Sequence, residues 1–294
     1  MQTVLEPPRT RVNFELPFRL DPAEALVVSA GSCFAENMAD RLAAAGVRCE
    51  QNPNGILYNP VSLCESFRRI AEGRAYTGED FVEYEGRWHG WFHHGAFSRT
   101  TLEEAVNAAE RERRRFADLL ARADLVLLTP ASASVFERSE NGMVVANCHK
   151  LPGNRFRRRL LTCGECTEAL EGTVEAVRRL NPTCRIVFTL SPVRHTPGDL
   201  VTNARSKALL LTAIHDCTDR LPDTFYFPAY EIILDELRDY RFFKEDMCHP
   251  NELAVNIVTR TFAAACFGDR VLTMLDEADR RARRSHHVEL FRKG

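Results

Sequence analysis

Short apolar runs alternate with longer stretches of helical spacing along most of this chain. Ala25-Leu26-Val27-Val28 is a compact, partly β-branched run, and the Ala-rich segment from Glu36 to Ala45 ends at Gly46, a natural helix stop. The spacing predicts further helices over 61–71, 102–120, 165–180, 206–214 and 252–266, and further strands over 125–128, 186–190 and 225–227. Two stretches break the rhythm. Phe81 to Phe92 alternates apolar and polar residues around Glu85-Gly86, and Val135 to Ala146 does so around Asn141-Gly142, so both read as hairpins.

Parallel strands need crossover connections, and a helix is the usual one. The alternation therefore predicts an α/β fold, a three-layer α/β/α sandwich with a central, mostly parallel sheet and two hairpin insertions. With neither internal repeats nor a Gly- or Ser-rich linker, a single domain is expected over residues 25–275. Residues 1–24 carry Pro7, Pro8, Pro17 and Pro22 and read as an extended lead-in rather than a packed element, because proline lacks an N–H and fixes φ. Residues 276–294, with Arg280-Arg281-Ala282-Arg283-Arg284, read as a charged helix end or tail, the rival being a local anion or partner contact.

Composition narrows the partners. Of 294 residues, 45% are hydrophobic, enough for a substantial core. Lys and Arg number 39 against 41 Asp and Glu, a formal charge of -2, so no global bias toward nucleic acid or anionic membrane exists. No run approaches about 18 apolar residues, and Met1 to Thr10 lacks the basic start and apolar stretch of a secretory signal. The expectation is a cytoplasmic protein with no nucleic-acid or membrane partner, its oligomeric state unassigned. Ten cysteines scattered through so long a chain read as reduced, mostly buried thiols.

Two short stretches carry candidate chemistry. Gly31-Ser32-Cys33 follows the first strand, where a serine hydroxyl lies at the carboxyl edge of a parallel sheet, the edge at which open α/β folds bind ligands. Asp246-Met247-Cys248-His249-Pro250 places a carboxylate three residues before an imidazole. A serine is a weak nucleophile until a base takes its proton, and the base must be held in one tautomer by a third group. Ser32, His249 and Asp246 can fill those roles. The alternative is that Ser32 is an N-cap and that the second stretch caps the last helix.

Ala30-Gly31-Ser32-Cys33-Phe34-Ala35 resembles the motif that names the GSCFA family. The resemblance extends to Asn52-Pro53-Asn54-Gly55-Ile56-Leu57-Tyr58-Asn59-Pro60, to Asn147-Cys148-His149-Lys150, to Thr189-Leu190-Ser191-Pro192-Val193-Arg194-His195, to Tyr226 through Glu231, to Asp235 through Phe242 and to Asp246 through Asn251, covering roughly 13–267. That family is similar to the SGNH (GDSL-type) hydrolases, which have a flavodoxin-like fold and act on esters, often O-acetyl groups on carbohydrates. The resemblance implies Ser32 as nucleophile, His249 as general base and acid, Asp246 as its orienting partner, a small-molecule or carbohydrate ester as substrate and no cofactor.

Two departures stand out. The nucleophile of SGNH hydrolases usually follows an Asp, whereas Gly31 precedes Ser32, and the Gly-x-Asn-Asp block expected after the third strand is replaced by Thr129-Pro130-Ala131-Ser132. The oxyanion donors must come from elsewhere. Candidates are the backbone N–H groups of Ser32 and Gly55 and the side-chain amides of Asn59 and Asn147, although Gly55 also reads as a turn glycine and Asn59 as an N-cap before Pro60. His149, Lys150, Arg194 and His195 follow β-like segments and are rim candidates, each with a plain structural alternative. Cys33 is expected to face the core if Ser32 faces the cleft. Cys163-Gly164-Glu165-Cys166 has a metal-type spacing without a second such pair, and His89, His93 and His94 lie on the Trp88-Trp91 hairpin, so no metal is assigned. That aromatic hairpin is a candidate pocket wall, with packing as its alternative. No Gly-rich phosphate loop follows the first strand. An ester hydrolase using a Ser-His-Asp triad and an acyl-enzyme is the leading expectation. An O-acyltransferase with the same triad, or a non-catalytic binding module with a degenerate oxyanion hole, is the alternative.

Overall fold

The computed structural model describes residues 10–195 and 199–292. Residues 1–9 of the expected lead-in and the last two of the expected tail lie outside them.

Five strands form the central sheet: β1 (Leu26–Gly31), β2 (Arg48–Gln51), β5 (Leu125–Thr129), β9 (Arg185–Thr189) and β10 (Thr224–Phe227). Their order is β2-β1-β5-β9-β10, and every pairing is parallel. Taken as strands one to five of this sheet, that is the 2-1-3-4-5 arrangement of flavodoxin-like folds. The expected sandwich is observed.

Period-two alternation decides which side chain enters which layer. Leu26, Val28, Ala30, Val126, Leu128, Ile186 and Phe188 face one layer, where α2 (Pro60–Glu72), α3 (Leu102–Leu120), α4 (Cys163–Leu180) and α5 (Leu200–Arg220) pack. Val27, Leu125, Leu127 and Val187 face the other, against α1 (Cys33–Ala44), α7 (Glu252–Phe267) and α8 (Asp269–Arg292). Because both faces are covered, the central strands read as unbroken apolar runs. A three-residue turn α6 (Ala229–Glu231) continues into a π-helical segment, Ile232–Leu237, before the chain reaches α7.

The insertions are more elaborate than the sequence suggests. The hairpin β3 (Phe81–Tyr84) and β4 (Arg87–Gly90) turns at Glu85-Gly86, both at positive φ, as expected. The second insertion is a three-stranded sheet, β7-β6-β8, in which β6 (Ser134–Arg138) pairs with β7 (Val144–Val145) and also with β8 (Phe156–Leu160). β8 is missed by pattern because its Arg157-Arg158-Arg159 looks like a loop. Glu137 accepts from Arg157 and Arg159 at 2.6 Å each, and Arg159 also reaches Glu165, so the strand's charge is matched by its neighbours.

The N-terminal segment is corrected in the same way. It is extended, as its prolines require, yet it packs: Val12, Phe14, Leu16, Phe18 and Leu20 lie against the α1/α7 layer. Phe14 and Phe227 meet edge-on at 5.1 Å, and the Leu20 N–H donates to the Cys266 carbonyl. Among the described residues no helix is long and apolar enough to cross a membrane, and all ten cysteines are free thiols.

Candidate active site

The carboxyl edge of the sheet brings the first-strand motif next to three loops. Gly31 has φ of +140°, and a Cβ there would lie 2.2 Å from the Thr129 carbonyl oxygen. The backbones of β1 and β5 are pressed together at this point, so no side chain has room at position 31. The Gly31 N–H donates to the Asn52 side chain, and its carbonyl accepts from the Leu57 N–H, which ties the β2–α2 loop to the strand end.

Ser32 occupies the N-cap position of α1 but does not cap it, since its hydroxyl makes no bond to the helix amides. It is fully buried, and its Oγ has no hydrogen-bond partner among the described residues. Buried hydroxyls are normally satisfied. Ser29, Thr129 and Thr189 of the same sheet carry buried hydroxyls that likewise lack a partner among the described residues. Cys33 is half-buried, and burial together with Glu36 raises its thiol pKa, which keeps it protonated and a poor nucleophile.

The second motif is built by one carboxylate. Asp246 accepts from the Cys248 N–H at 2.8 Å and the His249 N–H at 2.9 Å through one oxygen, while the other lies 2.7 Å from His249 Nδ1. These contacts, the two backbone bonds foremost, hold its carboxyl well below the usual range. With Nδ1 donating to the carboxylate, Nε2 carries the lone pair a base needs. Met247, at φ of +54°, makes the tight turn.

This turn is fastened to the segment after β9. The Arg194 N–H donates to the Cys248 carbonyl at 3.1 Å, and the Arg194 guanidinium to the Met247 carbonyl at 3.0 Å, while stacking over Phe243. Arg194 is thus a loop clamp. His195, the next residue, packs against Tyr58 with ring centroids 4.8 Å apart and the planes tilted by 59°, and its Nε2 is buried without a partner among the described residues. Burial, with the Lys207 and His249 charges nearby, pushes its pKa down to about 3, so the ring is neutral. The charge of Lys244, on the His249 loop, acts on the Cys33 thiol, and Cys33 acts on the Tyr58 hydroxyl.

Beside Tyr58 and His195 opens a groove of about 730 Å³. Asn59, Asn147, Ser132, Phe136 and Arg158 line it, with Val145, Leu151 and Phe156 forming an apolar wall. Ser32, fully buried, is not among the residues that line it. Phe136 is 41% exposed, with the Arg158 guanidinium over its face.

The candidate oxyanion donors fare unequally. The Ser32 N–H bonds to the Thr129 carbonyl and the Gly55 N–H to the Asn52 carbonyl, and Asn59 caps α2 through Ser62. All three have other partners in this structure. Asn147, which lines the groove, accepts from the His149 N–H through its carbonyl oxygen. His149 is held by the Gly90 carbonyl and stacks on His89, under the insertion rather than at the sheet edge. Lys150 follows it at positive φ in the same turn. Trp91 packs against Phe156 inside the insertion, and neither it nor Trp88 lines the groove. Among the described residues no three His, Cys, Asp or Glu side chains group as metal ligands.

Tyr58 and Lys207 escape a first reading. Tyr58 is hidden by its loop, but Lys207 leaves a trace: it falls on the stripe Asn203, Lys207, Leu210, Ile214, Cys217, a buried helix face on which a lysine has no ordinary reason to be.

The GSCFA family model matches residues 26–262. The chain belongs to the GSCFA family. No curated protein matches it. Among solved structures it is similar to a carbohydrate esterase family 3 protein from Talaromyces cellulolyticus, at 8% identity and a TM-score of 0.37, covering 86% of this chain and 99% of that one. A family 3 carbohydrate esterase from Clostridium thermocellum also has 8% identity and a TM-score of 0.37, with 82% and 94% covered. A salicylyl-acyltransferase from a tetracycline biosynthetic pathway has 11% identity and a TM-score of 0.40, with 82% and 54% covered.

Proposed function

We propose that this GSCFA protein is a serine hydrolase of O-acyl esters. The observation that carries the reading is the buried, unpartnered Ser32 hydroxyl at the end of β1, on the same sheet edge to which the Asp246–His249 pair is fastened. In this reading Ser32 Oγ attacks the ester carbonyl while His249 Nε2 takes its proton. The imidazolium, steadied by Asp246, returns the proton to the departing alcohol, and the acyl-enzyme is released by a water that His249 deprotonates. The first-turn amides of α1, which have no intrahelical acceptors, are the candidate donors for the oxyanion in this reading, with the Asn147 side chain a second candidate.

The groove supports a small polar alcohol, such as a sugar, as the leaving group, because amides, hydroxyls and a guanidinium share it with an apolar wall. Ser32→Ala should lower hydrolysis of 4-nitrophenyl acetate by about 10⁴-fold, and retention of wild-type turnover would refute the reading. An acceptor-dependent ester product in place of free acid would make the same triad an acyltransferase. A non-catalytic binding module is favoured by one observation, the prior commitment of the Ser32 and Gly55 amides to Thr129 and Asn52. That reading expects no turnover by the wild-type chain.

A further inference from the structure

Lys207 is fully buried on α5, yet its ammonium has no carboxylate among the described residues within ion-pair distance. It donates instead to two backbone carbonyls, Ala131 and Ser191, each at 2.6 Å. These belong to the segments that leave β5 and β9 at the sheet's carboxyl edge. The neighbouring Ser206 hydroxyl accepts the Ala133 N–H at 2.7 Å, the Ser191 N–H donates to the Pro130 carbonyl, and the Ala131 and Ser132 N–H groups both donate to the Tyr58 carbonyl. Lys207 thereby joins the post-β5 and post-β9 segments, and the first of these is tied to the Tyr58 loop by its own backbone amides.

A buried cation is expensive unless something offsets its desolvation. Two carbonyls offset part of that cost, and an apolar side chain in a well-packed core would carry no such cost. Retaining a lysine here therefore needs a reason beyond packing, and its position supplies one. The Ala131 carbonyl lies in Thr129-Pro130-Ala131-Ser132, the segment that stands where SGNH hydrolases have Gly-x-Asn-Asp.

We propose that Lys207 is a positioning residue of this active site: it clamps the post-β5 and post-β9 segments in place of the missing Asn-Asp block, and its unneutralised charge favours the negatively charged transition state formed at Ser32. The proposal rests on the acyl-transfer reading given above. The groups that face the ammonium are the Cys33 thiol from α1 and the His195 ring from the post-β9 segment, with the His249 charge acting on the latter. Burial pushes the Lys207 pKa down to about 7, whereas Cys33 is raised and His195 lowered, so Lys207 alone of the three changes charge around neutrality. A neutral amine still has two N–H groups for two carbonyls. Deprotonation removes the charge and leaves the clamp.

The test uses the full-length protein and 4-nitrophenyl acetate, with kcat and KM measured from pH 5.5 to 9.5 for wild type, Ser32→Ala, Lys207→Met and Lys207→Gln. The expected wild-type kcat declines on the alkaline side with a midpoint of about 7. In folded Lys207→Met and Lys207→Gln, kcat drops about 100-fold with KM within threefold, and the alkaline decline disappears. A fold defect alone would lower the amount of active protein without changing the shape of the pH profile. Wild-type kcat in either folded variant, or a flat wild-type profile up to pH 9.5, overturns the proposal. The wild-type profile needs no variant to fold. Activity retained by Ser32→Ala would instead remove the hydrolase reading itself, whatever Lys207 does.

Discussion

Replacing Ser32 by alanine separates a catalytic role from a capping role by the sign of a stability change. Its hydroxyl is fully buried and makes no hydrogen bond, and such an orphan costs about 1–3 kcal/mol of desolvation. Removing one oxygen leaves a void of only about 10–15 Å³, worth ~0.3 kcal/mol at about 24 cal/mol per Å³. The net expectation is a gain of about 1–2 kcal/mol. With about 2.1 cal/mol/K per residue over 294 residues, the unfolding entropy at the midpoint is ~0.6 kcal/mol/K, so Tm should rise by ~2–3 °C. An N-cap serine behaves oppositely, because its loss costs about 1 kcal/mol and would lower Tm by ~2 °C. Calorimetry of wild type and Ser32→Ala in one buffer, paired with ester turnover, reads both effects. A lower Tm with turnover intact would refute the reasoning, since it would make Ser32 an ordinary cap.

Other perturbations follow from the same geometry. Gly31→Ala should destabilise by more than about 3 kcal/mol, because its Cβ would sit 2.2 Å from the Thr129 carbonyl at a φ of +140°; urea unfolding at wild-type midpoint would contradict that close approach. Asp246→Asn should lower kcat about 10⁴-fold by releasing the His249 tautomer, and a loss under tenfold in steady-state assays would argue against the pair. Burial lowers the pKa of His93 and His195 to about 3 and of His149 to about 4, so the unfolded chain takes up protons first as pH falls below about 6.5. Stability should therefore decline from pH 6.5 toward 4, by about 2 kcal/mol per histidine at pH 5. His93→Phe, whose ring would take the place of one packed among Tyr76, Phe81 and Phe97, should flatten that decline, and an unchanged slope in urea titrations would contradict the assignment.

The central sheet was legible because its strands are buried on both faces and appear as uninterrupted apolar runs such as Leu125–Leu128. Strands whose stability comes from partners were not. β2, Arg48–Gln51, is a polar edge strand, and β8 owes its place to Glu137 and Glu165, acids distant or offset in sequence. The N-terminal segment was misjudged because its prolines outweighed a clean alternation, Val12, Phe14, Leu16, Phe18, Leu20, that marks a half-buried extended chain.

At the candidate site, the Asp246–His249 turn could be read from spacing alone, since both ends of the contact lie within one loop. The shell around Ser32 could not. The Ser32 N–H bond to Thr129 depends on strand register, whereas the Gly55–Asn52 and Asn59–Ser62 contacts are local to the β2–α2 connection. Lys207 illustrates the intermediate case: its position on a buried helix stripe was visible, but its carbonyl partners at Ala131 and Ser191 were not.

Reaction with a fluorophosphonate probe, followed by peptide mass spectrometry, addresses the nucleophile most directly. The account expects one covalent adduct on Ser32 in the wild-type chain and labelling slowed at least a hundredfold in His249→Ala. Modification of Cys33 or another residue instead, or no adduct on wild-type protein at saturating probe, would contradict it.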